Sequence, residues 1–233
     1  MEWAEVFVGS VEPVLQPLNR REVTMADEFH KPTKFSGGKF ESFQGGEDPA
    51  QISRVAHETA HALLARVRND PDPDVVERLV AYTDENGIDA VAELWSRATP
   101  RSLPGALWRI YLVRLLIRQD PQGISYLYQR GTEVSTTIDP VVAGASVPTG
   151  PEEIIVLADE ILRGLFTGDF AVALDRAAAF CRVTATGCTS VADDLDATEP
   201  ARSSELTTRA LRFSTTAQEF VSCARLWRHD SLD

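Results

Sequence analysis

The residues best suited to chemistry are His57-Glu58-Thr59-Ala60-His61, which satisfy the bare HExxH spacing. Two imidazoles one helical turn apart can hold zinc, and the intervening glutamate can take a proton from a metal-bound water. Glu85-Asn86-Gly87-Ile88-Asp89 has the spacing of the ExxxD element that supplies a third ligand in some zinc hydrolases. Against that chemistry, Thr59 stands where an apolar anchor is expected, and Gly87 interrupts the helix that has to present Glu85 and Asp89 together. Ile52, Val55, Ala56, Thr59, Leu63 and Val67 recur at helical spacing, and on a helical wheel His57 and His61 fall opposite Ile52, Val55, Thr59 and Leu63 and beside Arg54 and Arg68, which predicts solvent-facing rings. We therefore expect no metal, no cofactor and no catalytic set, with a zinc-dependent hydrolase built on His57, Glu58 and His61 as the alternative.

Other reactive groupings are weaker. Cys181, Cys188 and Cys223 have no CxxC or Cys/His ligand spacing and read as reduced, buried thiols. No GxGxxG, phosphate-loop lysine or GxSxG elbow occurs. Asp193, Asp194, Asp196 and Glu199 lack the ordered D-x-[DN]-x-[DN]-G spacing of a calcium loop. Arg97, Arg101, Arg109, Arg114 and Arg118 recur near helical spacing and are expected to act as ion-pair partners rather than to converge on an anion.

A net charge of -12 over 233 residues disfavours nonspecific binding to nucleic acid or anionic lipid, both of which need clustered positive charge. The lysines are confined to Lys31, Lys34 and Lys39, every other cationic side chain being arginine, a usage that fits a GC-rich genome. With Phe35, Phe40 and Phe43 they lie in a Gly-rich stretch without helical or strand period. Residues 1–47 accordingly read as a flexible arm whose lysines and phenylalanines could dock on a protein partner. The first residues lack a basic, apolar leader, so a cytoplasmic location is expected. Met25-Ala26-Asp27 reads as an alternative start, leaving open whether residues 1–24 are native.

Residues 48–233 are expected to form one all-α domain, a multi-helix bundle or irregular array of helical hairpins. Asp48-Pro49-Ala50-Gln51 starts a helix ending at Asn69-Asp70-Pro71, and Asp74 caps a second, ending at Asn86-Gly87. A third runs from Asp89 to Thr99-Pro100. Residues 103–119 are apolar almost all round, which predicts a central helix on which the others pack. A short helix then ends at Gly131, and 132–150 reads as loop with one helical turn at Asp139-Pro140-Val141; 133–138 has strand composition but no partner. Residues 151–184 make a helical hairpin turning at Gly168-Asp169, 186–202 an exposed acidic loop, and 203–228 a helix with a heptad seam of Leu206, Ala210, Phe213, Ala217, Phe220, Ala224 and Trp227. That seam either closes the domain or pairs two copies, so monomer and homodimer both remain open.

Gly168-Asp169-Phe170 and its continuation to Leu174 resemble a tetratricopeptide-type GDFxxAL hairpin, and Gly87-Ile88-Asp89-Ala90-Val91-Ala92 looks like a second copy of that start. No 34-residue period accompanies them. AELWSRA from Ala92, LPGALWR from Leu103 and FTGDFAVALDRAAAFCRV from Phe166 resemble motifs of an uncharacterised all-helical actinobacterial family, from about residue 50 to the C-terminus. That resemblance implies lineage and an all-helical fold, and assigns no mechanism. The residues thus point to a helical adaptor or assembly protein that binds another protein, with neither nucleic acid nor membrane as partner.

Overall fold

The computed structural model describes residues 48–70, 72, 74–86 and 94–233, with Val80 and residues 83–86 described in backbone alone. The described residues fold into helices without a strand: α1 (Pro49–Arg68), α2 (Val75–Asn86), α3 (Leu103–Gln119), α4 (Pro121–Val134), α5 (Asp139–Ala143), α6 (Pro151–Thr167), α7 (Phe170–Leu195) and α8 (Pro200–Arg228). Residues 94–96 are also helical. Among the described residues no helix is long and apolar enough to cross a membrane.

Helix starts follow local chemistry. Ser102 caps α3 by accepting from the Gly105 N–H at 3.2 Å, and Pro104 sits in the first turn, where its missing donor costs nothing. Asp120 then ends α3 and begins α4, its carboxylate accepting from the Gly123 N–H at 2.8 Å. At α6 the Gly150 N–H donates to the Glu153 side chain at 3.0 Å, and at α7 Asp169 accepts from the Ala171 N–H at 2.8 Å. The Leu103 N–H, another donor without an intrahelical partner, reaches the Asp233 carbonyl at 2.6 Å.

The hub of the domain is α7 rather than α3. Helix α7 packs along α8 and also meets α4, α5 and α6, whereas α3 packs mainly on α6 and α1. Small residues explain the difference: Ala171, Ala173, Ala177, Ala178, Ala179 and Ala185 are all buried along α7, so several helices approach its backbone closely. The expectation for α3 holds in a narrower sense, since no position from Ser102 to Ile117 is exposed.

The acidic loop expected over 186–202 does not form. Helix α7 continues to Leu195, and only residues 196–199 separate it from α8. Gly187, inside that stretch, is a packing glycine: a Cβ there would lie 1.8 Å from the Leu127 carbonyl oxygen, and one on Gly131 would lie 1.9 Å from that of Val183. Each glycine thus lets the backbones of α4 and α7 touch, which is also why α4 runs through Gly131 to Val134 and no strand follows. Beyond Gly187 the buried Cys188, Val191 and Ala192 continue the stripe.

The seam of α8 closes the domain, with Ala210, Phe213, Ala217, Phe220 and Ala224 all buried. Phe213 meets Phe180 edge-on at 6.3 Å between centroids, Phe180 stacks on Tyr128 at 5.7 Å, and Phe170 meets Trp227 at 4.5 Å. An ion pair with a buried arginine ties α3 to α6: Arg114, 3 % exposed, donates to the half-buried Asp159 at 2.8 Å.

Candidate functional site

His57, Glu58 and His61 lie on α1, whose buried face is Ala56, Ala60, Leu64 and Val67. The inward stripe is therefore rotated from the one expected, and Val55 stands 39 % exposed. Thr59 is held at the edge of the core, accepting from the Trp95 indole N–H at 3.1 Å while donating to the Val55 carbonyl at 2.8 Å. His61 is exposed, as expected, and so is Glu58, but His57 is half-buried. Its Nδ1 lies 2.7 Å from the Ser53 carbonyl oxygen. A carbonyl oxygen only accepts, so this bond takes its proton from Nδ1 and leaves Nε2 as the nitrogen not committed to it. Among the described residues no group of three or more His, Cys, Asp or Glu side chains gathers to hold a metal ion. Asp89 lies outside the described residues.

Arg68 belongs to a different contact from the one the helical wheel suggests. It donates to the Leu165 carbonyl at 2.7 Å and the Gly168 carbonyl at 3.1 Å, closing the end of α6, and stacks over Trp227 at 5.6 Å. The other arginines diverge. Arg109 pairs with Glu219 on α8, Arg114 and Arg118 pair with Asp159 on α6, and Arg101 borders a cleft of about 330 Å³ with Thr99, Pro100 and Gln218. No common anion site results. Lys31, Lys34, Phe35, Lys39, Phe40 and Phe43 lie outside the described residues.

The thiols are inert by position. Cys181, Cys188 and Cys223 are free and buried, and burial pushes Cys188 and Cys223 up to about 11 and Cys181 higher still.

The loop expected over 132–150 forms from residue 135, with its helical turn as α5, but sequence reasoning missed that it is strapped to α7. Arg182 of α7 grips the start of α5 through two bonds to Asp139, Nε at 3.0 Å and Nη2 at 2.6 Å. That hydrogen-bonded guanidinium holds the Asp139 carboxyl below the ordinary carboxylate range, opposed by burial and helped by a 2.9 Å bond from the Thr137 hydroxyl. Six residues earlier Arg176 donates to the Ala143 carbonyl at 3.1 Å and pairs with Glu160 on α6. Gly144, with φ 79°, ends α5 beside it in the left-handed region. The partners are 43 and 33 residues apart, so no local signal announces them.

Beneath the strap is a cleft of about 350 Å³ bordered by Ser135, Thr136, Thr137, Thr186, Thr189 and Ser214. Thr186 and Thr189 donate to the Arg182 and Ala185 carbonyls of their own helix, which leaves them as acceptors. On its outer side the strap presents Ile138, Val141 and Val147, 75, 82 and 86 % exposed. In comparisons with known proteins, no family model, no curated protein and no solved structure matches the chain.

Proposed function

We propose that the chain is a non-enzymatic helical adaptor or assembly protein that works in the cytoplasm by docking on a protein partner. The observation that carries this reading is the strap. Three β-branched aliphatic side chains, Ile138, Val141 and Val147, are held out to solvent within ten residues of chain, on a segment fastened by Arg176 and Arg182. A fixed apolar ledge loses little conformational entropy on binding, and exposed aliphatic clusters mark interaction surfaces. The Phe/Lys stretch around Phe35, Phe40 and Phe43 supplies a second contact in this reading, its charge opposite to that of the acidic whole.

Affinity capture with the full chain tests it. Wild type, Ile138→Asp/Val141→Asp, and Phe35→Ser/Phe40→Ser/Phe43→Ser are compared from the same lysate, with light scattering for oligomeric state. A defined protein retained by wild type and lost from the strap variant supports docking. A monodisperse monomer that retains nothing above the bead control overturns it.

A further inference from the structure

Although α1 carries no three-ligand cluster, it carries half of one in an unusually ready form. His57 has its Nδ1–H fixed on the Ser53 carbonyl at 2.7 Å, so Nε2 is the available donor atom before any ion arrives. Carbonyl-bonded imidazoles of this kind are what metal sites use to set the ring orientation and raise ligand basicity. His61 follows four residues later on the same helix and is exposed. Four residues advance the helix by about 6 Å and return to the same face, and the Cα–Cβ bond of His61 tilts back toward His57. Glu58, exposed between them, adds a negative charge that favours a cation, and Arg54, also exposed, opposes it.

We propose that His57 and His61 form a two-imidazole clamp for a divalent late transition-metal ion, with the remaining coordination positions open to water. Imidazole pairs select zinc, copper and nickel over magnesium and calcium, which take oxygen ligands. With two protein ligands the clamp binds without assembling the three-ligand centre that zinc hydrolysis needs, so it is distinct from the hydrolase alternative and does not rest on the adaptor reading.

Zinc chloride titrated calorimetrically into the full chain, free of any affinity tag, tests the clamp with wild type, His57→Ala, His61→Ala and the double variant. Either single substitution weakens the site at least about tenfold, and the double variant is no weaker than the singles, because one imidazole cannot chelate. His57→Gln repeats the measurement should the half-buried His57→Ala variant fold poorly. The same affinity in all variants, or loss on one substitution without loss on the other, overturns the proposal. Electron paramagnetic resonance of the copper-loaded wild type gives a second reading: hyperfine structure from two imidazole nitrogens supports the clamp, and structure from one overturns it.

Discussion

At the scale of single residues, the clearest energetic anomaly is Tyr128. Its ring is 1 % exposed and stacked on Phe180, and its hydroxyl finds no hydrogen-bond partner among the described residues. Burial pushes this phenol up to about 12, against the milder opposing effect of Arg176. A hydroxyl taken out of water without a partner costs about 1 to 3 kcal/mol, whereas the ring supplies the packing. Tyr128→Phe is therefore expected to raise the stability of the domain by about 1 kcal/mol, read as a higher urea midpoint with an unchanged m-value. A lower midpoint would mean that the hydroxyl has a partner after all. The histidines teach the complementary lesson. The spacing of His57 and His61 and the outward position of His61 are legible in the sequence, but the half-burial of His57 and its bond to Ser53 depend on how α1 is rotated against its neighbours.

At the scale of elements, most boundaries were legible, including the ends at Arg68, Asn86, Gln119 and Thr167, and the ends of α4 and α7 were not. Ser102 with Pro104, Gly150 with Glu153, and Asp169 each act within four residues of their own helix, so short-range chemistry suffices to place them. Gly131 was misread as a helix end because glycine both stops helices and lets backbones touch, and which applies is decided by a residue on another helix. Gly187→Ala separates the two roles. Alanine is the better helix former by about 1 kcal/mol, yet its Cβ would meet the Leu127 carbonyl at 1.8 Å, so a net loss of about 1 to 3 kcal/mol is expected in urea unfolding. Gly164→Ala, whose Cβ would meet only the Ala173 Cβ at 3.2 Å, should cost clearly less. The strap offers a test in pH. The Asp139 carboxyl is depressed in the folded chain, chiefly by its hydrogen bond from Arg182, so the ionised pair stabilises the fold above the ordinary carboxylate value and loses that contribution as pH falls through the depressed one. Arg182→Ala should therefore destabilise most at neutral pH, and the gap from wild type should narrow as pH falls below about 4. A gap that stays constant to pH 2 would assign the effect of Arg182 to packing alone.

At the scale of the domain, burial is unevenly shared, and stability should be too. Helix α7 is covered by α4, α5, α6 and α8 and buries Phe170, Leu174, Phe180 and Val183, so its amides open only when the whole domain does. Helix α1 buries two alanines with Leu64 and Val67, and α2, whose buried anchor is Val76, meets α6 with a Glu77 to Arg163 pair at 2.8 Å, the glutamate exposed and the arginine half-buried. Alanine removes little apolar area from water, and an exposed ion pair contributes at most about 1 kcal/mol, so neither helix has much to oppose its local opening. Native-state hydrogen exchange followed by mass spectrometry along a urea series should accordingly show α1 and α2 exchanging through openings well below the global free energy, with α7 and the middle of α8 merging with global unfolding. The thiols report the same event independently: Cys181 and Cys188 on α7 and Cys223 on α8 should react with a thiol reagent only at the global unfolding rate. Thiol labelling of α7 ahead of that rate would show that the hub opens on its own and that the core is organised about some other helix. The region that opens first is also the one that carries His57 and His61, so an ion bridging those rings across one turn of α1 should raise protection there and leave α7 unchanged.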